Sequence, residues 1–523
     1  MIGLKQLWLN RPLTVVLVAG FAVRLIGVIF SGGYGYHDDH FLVIEPAQSW
    51  LEGLDRGNMI TDSPAENSTG RSLLYPFANY ILFGSLEFIG IEDPSLKMLF
   101  NRLIHALYSL LTVLFGYKLA EELAGVKEAR IVGLLLAVFW LFPQMSVRNL
   151  VEVVPIPLLM LASYETVKYL KHKTGVWSML FCGVLIGLSF SLRYQTILFG
   201  MGLGLGLLLK KEWRGGIYLA LSTLLTIVLL HGIGDYFLCG EPFCKLQYYI
   251  SFNVDHATDY TTEPWHFYLV IILGTLIPPL SLLFLFGFLR SFKISTPIWL
   301  AILGFFIFHS MFPNKQERFI FTIMPHLLLM GYLGWHQYYS SRPFSRPFRY
   351  LVRFSWIFFW ILNIPLVILY SAYDNKHARV WAMQLLAHQK DFKGFILADP
   401  NRDRVKDPPL FYLGNYDPYA VINRNTSQSD FLEQLAAIPD DRYPNYLIIN
   451  VKREEGRIPV ENELKKYLPN IKFLQMVEMG RIDNLRNQIN SGIGLDDWAI
   501  YQISGNRLVP FDPSATPLPD EYR

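Results

Sequence analysis

PLTVVLVAGFAVRLIGVIFS, residues 12–31, runs twenty positions with one charge, Arg24. A helix rises about 1.5 Å per residue and a bilayer's hydrocarbon core is about 30 Å thick, so this stretch reads as a membrane-crossing helix. Comparable apolar runs lie at 99–119, 129–142, 150–167, 176–190, 194–209, 215–231, 267–289, 296–311, 320–338 and 354–372. The run at 129–142 is short and needs a tilt or its neighbours to cross. A further stretch, 73–91, is interrupted by Pro76, Gly84 and Glu87.

Composition points the same way. The 523 residues are 52% hydrophobic and 17% charged, against about 25% charged in soluble domains. Close to half of the charged side chains follow Tyr373. A single soluble globule and a disordered chain are both excluded. The net charge of +3 says little about partners, and no nucleic-acid partner is expected.

Basic residues set the orientation. Lys5 and Arg11, Lys168/Lys171/Lys173, Lys210/Lys211/Arg214, Arg290/Lys293 and Arg342/Arg346/Arg349/Arg353 occupy one set of loops, the pattern of cytoplasmic loops. Alternation then works with about 11 spans, provided 73–91 does not cross and lies as a juxtamembrane or re-entrant helix. The outer face collects 32–98, 143–149, 191–193, 232–266, 312–319 and 373–523. The expected architecture is an α-helical polytopic region, 1–372, with a first outer loop at 32–98, followed by an extracytoplasmic α/β domain, 373–523. The first span lacks a small-residue cleavage site and is not read as a removable signal peptide. No internal repeat is visible, which weighs against transporter folds built from inverted halves.

In the tail, strands are expected at Gly394–Asp399, Tyr419–Asn423, Tyr446–Val451, Ile471–Met479 and Trp498–Ile503, with helices at Gln428–Leu435 and Val460–Tyr467. It carries no Gly-rich phosphate loop, and a support or acceptor-side role is expected. Cys182 reads as packing. Cys239 and Cys244 are close enough in sequence to pair in an oxidising compartment, and three cysteines make no zinc site.

Polar clusters fall on the outer face. Tyr36-His37-Asp38-Asp39-His40-Phe41 puts two carboxylates between two histidines just past the first span. This is a solvated cap, an acid–base pair able to take a proton from a hydroxyl, or a divalent-ion site, for which more carboxylates are usual. Glu45 follows, then Gly70-Arg71-Ser72-Leu73-Leu74-Tyr75-Pro76. Arg148, with Glu152 after it, and Arg193 each sit between apolar runs. A charge at mid-membrane costs about 2.5–3.5 kcal/mol on insertion scales, and far less at the interface, where arginine snorkels. Arg24 must therefore be paired or face a cavity. Asn314-Lys315-Gln316-Glu317-Arg318-Phe319 sets two cations three positions apart. Such a turn suits a lipid headgroup or a phosphate ligand. The 232–266 loop holds Asp235, Asp255, His256 and Glu263-Pro264-Trp265-His266-Phe267-Tyr268, whose aromatics fit either an interfacial belt or a sugar.

Asp38-Asp39-His40-Phe41 with Glu45-Pro46-Ala47 resembles the first-loop motif, Asp-Glu-His-Phe, of the lipid-phosphate-dependent mannosyltransferases of glycosyltransferase family 22, within the GT-C superfamily. Arg71-Ser72 with Tyr75-Pro76 is similar to that family's Arg-Ser-x-x-Tyr-Pro element, Pro264-Trp265-His266 with Tyr268 to its Pro-Trp-His-x-Tyr segment, and Asn314–Phe319 to its His-Lys-Glu-x-Arg-Phe turn. Tyr36-His37 stands where the family has His-Pro, Asn314 and Gln316 replace His and Glu, and Ala65-Glu66 replaces Trp-Glu. The resemblance runs from about residue 36 to 325 and leaves the tail aside.

The resemblance implies an inverting transfer of a sugar, mannose first, from a polyprenyl- or dolichyl-phosphate donor to a hydroxyl of a glycan or glycolipid acceptor. Asp38 and Asp39 are then the catalytic acids, with Asp38 the base. Lys315, Arg318 and Arg193 would receive the donor phosphate. His40, Glu45, Arg71, Arg148, His256, Trp265, His266 and Glu317 would bind substrate. No cofactor and no obligatory metal are expected, because a phosphate monoester lacks the pyrophosphate that metal neutralises elsewhere. A transporter or flippase for a lipid-linked or anionic solute, and a non-catalytic subunit, are the competing readings. A bacterial inner membrane is the expected location, with the ER membrane as the eukaryotic counterpart; the sequons at Asn67 and Asn425 are short enough to arise by chance.

Overall fold

The computed structural model describes residues 4–56, 70–259, 261–417, 419–451, 454–465, 468–489 and 496–504. The sequon at Asn67 and the Ala65-Glu66 pair lie outside them. The chain divides into two compact units, Met1–Tyr373 and Asp374–Arg523.

The first unit is helical, and the apolar runs named above lie mostly on helices, with non-helical breaks at 139–140, 150–155 and 276–279. Among the described residues, five helical stretches are long and apolar enough to cross a bilayer: Pro12–Phe30, Pro94–Ala124, Trp213–Cys239, Glu317–Ser340 and Arg346–Ser371. Phe267–Thr275 and Leu280–Lys293 are together apolar and long enough for a further span but are bent by 119°, the geometry of a broken span or a re-entrant loop. Val176–Leu192, Tyr194–Leu209 and Thr296–Met311 are apolar but shorter. At about 1.5 Å per residue, a 17-residue helix falls a few ångströms short of the hydrocarbon core. The protein is thus a multi-pass membrane protein, and the expected eleven-odd runs differ more in length than the sequence suggested.

Leu74–Phe88 is a separate 15-residue helix, exposing Phe77, Ile81 and Phe88. At about 1.5 Å per residue this helix is shorter than the hydrocarbon core is thick. The span read as 215–231 continues through a π-helical turn, Val228–Ile233, to Cys239. The loop expected to begin at 232 therefore begins eight residues later.

Packing follows small residues. Ile197–Leu209 meets Thr296–Met311 so closely that a Cβ on Gly202 would sit 2.3 Å from the Ala301 Cα, and one on Gly206 2.2 Å from the Pro297 Cα. Small residues let helix backbones touch where lipid supplies no hydrophobic drive. Met324–Ser340 is buried over most of its surface, as a helix apolar all round should be. Among the described residues Arg24 finds no carboxylate. Its Nε donates to Ser109 Oγ at 2.8 Å and its Nη1 to the carbonyls of Ala137 at 2.9 Å and Gly20 at 3.1 Å.

The second unit is a five-stranded mixed sheet: β1 (Phe395–Asp399), β2 (Ala420–Asn423), β3 (Tyr446–Val451), β4 (Ile471–Val477) and β5 (Asp497–Ile503). The order is β2-β1-β3-β5-β4. β1 pairs parallel with β2 and β3, and β5 runs antiparallel to β3 and β4. β1 and β3 are buried along their whole length, as parallel strands covered on both faces are. Gln428–Ala436 starts where expected, whereas the next helix, Glu454–Leu464, begins six residues earlier. Cys239 and Cys244 are joined in a disulfide, and Cys182 is buried and free.

Candidate active site

The chain turns straight from the first span into a short helical segment. His37–Asp39 is followed by a π-helical turn, His40–Ile44, and by Glu45–Leu51. A π turn is an uncommon local conformation that recurs at functional sites. Here it brings His40 Nε2 within 3.1 Å of Glu45 Oε1. The His40 ring also stacks on Tyr34, 4.5 Å between centroids.

Asp38 and Asp39 are consecutive yet occupy different environments. Asp38 keeps 34% of its side chain exposed, whereas Asp39 keeps 3%. Arg318 bridges them, with Nη2 donating to Asp38 Oδ2 at 2.7 Å and Nη1 to Asp39 Oδ2 at 2.9 Å. Arg71 Nη2 adds a second donor to Asp38 Oδ2 at 3.1 Å. The Val151 amide donates to Asp39 Oδ1 at 3.0 Å. Burial disfavours the Asp38 carboxylate, but Arg71 and Arg318 outweigh it and hold the group down to about 2. Burial, together with the charge of Glu152, pushes Asp39 the other way. One acid is thus ionised and reachable, and the other is buried and anchored.

Arg318 is itself fixed from three sides. Its Nε donates to Gln316 Oε1 at 2.8 Å and lies 3.6 Å from Glu152 Oε1, and its plane sits 4.7 Å from the Tyr36 ring centre. Glu152 also pairs with Arg193, whose guanidinium lies 5.2 Å from the Phe319 ring centre. The result is one network, Arg71–Asp38–Arg318–Asp39 with Glu152–Arg193 behind it, drawn from five separate stretches of chain.

The remaining residues singled out in the sequence are placed differently. Lys315 is buried, and its ammonium donates to the carbonyls of Phe312 at 2.6 Å and Glu263 at 2.8 Å. Burial lowers its pKa. It pins its turn to the Thr262–Pro264 segment, where Thr262 and Asn314 form an isolated bridge. Arg148 is buried and donates to the carbonyls of Gly32 at 2.7 Å and Tyr373 at 2.5 Å. Trp265, His266 and Glu317 are exposed, and His256 stacks on Phe252 at the surface. None of these is a hydrogen-bond partner of the acidic pair. Sequence reasoning named Glu152 only in passing and gave Tyr36 no role beyond the motif. Arg193, a lone charge between apolar runs, was the signal that an acid had to lie against it.

Gly70 explains how Arg71 is aimed. It has φ +60°, and a Cβ there would lie 2.3 Å from the Tyr249 amide nitrogen. Only glycine lets the loop press onto the Cys244–Asp255 helix at that point. Among the described residues, no three His, Cys, Asp or Glu side chains gather as a metal-ligand set.

Comparison with known proteins identifies the family. The profile of the Alg9-like mannosyltransferase family matches residues 15–395. GPI mannosyltransferase 3 of Yarrowia lipolytica is 25% identical over 331 residues, 59% of this chain and 60% of that protein. The Candida glabrata protein of the same name is 23% identical over 286 residues, 48% of this chain and 45% of its own. Human alpha-1,2-mannosyltransferase ALG9 is 28% identical over 143 residues, 24% of this chain and 23% of that protein. The chain therefore spans about half the length of the curated relatives it matches. The fold is shared with ArnT from Cupriavidus metallidurans in the apo state, with TM-score 0.61 and 12% identity over 97% of this chain and 100% of that one. It is also shared with the apo oligosaccharyltransferase of Archaeoglobus fulgidus, with TM-score 0.54 and 12% identity over 85% and 70%. By its match over most of its length, the chain belongs to the Alg9-like mannosyltransferase family.

Proposed function

We propose that the protein is an inverting glycosyltransferase that moves mannose from a polyprenyl- or dolichyl-phosphate donor to a hydroxyl of a glycan or glycolipid acceptor, on the extracytoplasmic face of its membrane. The observation that carries this reading is Asp38: a reachable carboxylate held ionised by two arginines, beside a buried twin. Carboxylates whose environments push them apart divide their roles.

In a single displacement the acceptor oxygen attacks C1 of the sugar and the C1–O bond to phosphate breaks. The hydroxyl proton passes to Asp38, and polyprenyl phosphate leaves. One base suffices, and no covalent intermediate forms, as in inverting hydrolysis. The leaving phosphate needs cations rather than an acid. Arg318 and Arg71 already lie on Asp38. When donor phosphate takes up part of their hydrogen bonding, Asp38 loses cationic support and its pKa rises towards the ordinary range, where it is a better base. Arg193, through Glu152, holds Arg318 in place. Asp39 orients Arg318 and is not the base. His40 and Glu45 brace the loop.

The same reading makes metal unnecessary, because fixed arginines neutralise a phosphate monoester. The test is transfer of labelled mannose from polyprenyl-phosphate mannose by the purified protein, with and without EDTA. Transfer unaffected by EDTA is the expected result. Transfer from no lipid-phosphate sugar at all would overturn the proposal. Expression in a bacterial inner membrane, with the Asp38 side mapped by impermeant labelling, tests location and face.

A further inference from the structure

A second polar cluster lies outside the Asp38 network. A cavity of about 550 Å³ is lined by Trp50, Phe77, Tyr80, Ser191, His231 and Asp235, among others. Ser72 also lines it, directly after the Arg71 that holds Asp38. The cavity's polar wall comes from the π-helical turn Val228–Ile233 and the helix Gly234–Cys239 that follows. This is the second π turn in the chain to carry a histidine close to a carboxylate.

Hydrogen bonding fixes what this wall offers. The Ser191 hydroxyl donates to the Gly187 carbonyl at 3.0 Å. It must then accept from His231 Nε2, 3.0 Å away, so His231 carries its proton on Nε2 and presents a bare acceptor at Nδ1. Asp235 Oδ2 lies 3.9 Å from that nitrogen, too far to bond and also an acceptor. Both atoms are buried and find no hydrogen-bond partner among the described residues. His231 is 3% exposed and Asp235 5%. Two acceptors side by side call for two donors on one ligand. A hydrocarbon chain would leave both unsatisfied. The cavity's other wall is aromatic, with Phe77 and Tyr80 stacked at 5.9 Å and Trp50 set against Tyr80 at 6.2 Å. Adjacent hydroxyls on one edge and a C–H face on the other describe a saccharide ring.

We propose that this cavity seats a sugar ring of the substrate and that His231 and Asp235 read two of its neighbouring hydroxyls, with Ser191 setting the histidine tautomer. The ring belongs to the donor or to the acceptor, since both present vicinal hydroxyls. His231 and Asp235 are specificity-determining residues here and take no part in the displacement. The assignment rests on the proposed sugar transfer, but its test does not depend on turnover.

Binding of methyl α-D-mannopyranoside and methyl α-D-glucopyranoside to the full chain is followed by the shift in thermal unfolding, for wild type, His231→Gln, Asp235→Asn and Ser191→Ala. Size-exclusion profiles check that each variant is folded. The expected result is saturable binding of a glycoside by wild type, weakened at least tenfold in the His231 and Asp235 variants and less in Ser191→Ala. Binding of neither glycoside by wild type, or equal binding by folded His231→Gln and Asp235→Asn, would overturn the site. In the transfer assay, the same two variants raise KM for one substrate while kcat falls less. A raised donor KM assigns the ring to the donor, and a raised acceptor KM to the acceptor. Glycoside binding through His231 and Asp235 by a protein that transfers no sugar would keep this site and remove the transferase reading. Transfer with unchanged KM in both variants would do the reverse.

Discussion

Each unit of this protein holds a network of aspartates and arginine, and the two differ in one respect. In the first unit Arg318 joins Asp38 and Asp39, and Asp38 stays a third exposed. In the second unit Arg402 joins Asp399, at the end of β1, to Asp496, just before β5, and Lys406 lies 3.4 Å from Asp496. Asn450 at the end of β3 also donates to Asp399, at 3.3 Å. Both of those aspartates are closed off. The residue types are the same, but one network leaves a carboxylate that a solute can touch, and the other ties strand ends together. Charge clusters become sites through access as well as composition.

That contrast can be broken most sharply at Asp38. Asp38→Asn keeps the size and removes the base, and transfer should fall about 10²- to 10⁴-fold, with unfolding temperature little changed. Next is Arg318. Arg318→Ala should lower kcat about 10²- to 10³-fold and destabilise the first unit, because two acids and Glu152 lose their shared cation. Arg318→Lys should recover stability more than rate, since a single ammonium cannot bridge both carboxylates in the plane that the guanidinium does.

In the second unit the effects should reverse. Asp496→Asn should leave kcat and KM within about twofold and lower the stability of that unit by about 1–3 kcal/mol, read by denaturant unfolding. The smallest effect is a pH dependence. Asp374 lies 2.5 Å from His377 Nδ1 and raises its pKa. A raised histidine contributes stability below its unfolded pKa near 6.5 that is lost as pH rises through the folded value. His377→Gln should flatten the stability profile of the second unit above pH 6.5 and leave transfer unchanged. Asp38 has the opposite sign. Its depressed pKa means that its pairing with Arg71 and Arg318 persists above pH 3.8 and is lost only as pH falls towards 2. Substrate-free protein should therefore keep this contact at any pH used for assay.

Much of this was legible in the sequence because the information was local. Runs of apolar residues located the helices, and alternation in the tail located all five strands to within two residues. Asp38, Arg71 and Arg318 were named as site residues before any geometry, through short motifs whose spacing survives in the linear chain. Helix lengths were harder to read, since a π turn at Val228–Ile233 carries a helix through residues that look like a loop. Roles were harder still. Lys315 and Arg193 have the right charge for phosphate, yet the structure points one at main-chain carbonyls and the other at Glu152. Arg148 likewise holds carbonyls 115 and 225 residues away. Which of several cations is turned to solvent depends on contacts between distant segments, and no local pattern encodes it. Asp235 was named only as a loop residue, and the cluster it forms with His231 is completed by Ser191, 40 residues from His231.

The central claim is that Asp38 takes the acceptor's proton. Its most direct test uses purified wild-type protein and Asp38→Asn, each shown to be folded and to bind polyprenyl-phosphate mannose. Labelled mannose is then followed to the acceptor under donor saturation. The expected result is equal donor binding, transfer by the wild type, and a loss of at least 100-fold in the variant. Transfer by Asp38→Asn at a rate near wild type would contradict the account and move the base elsewhere in the network.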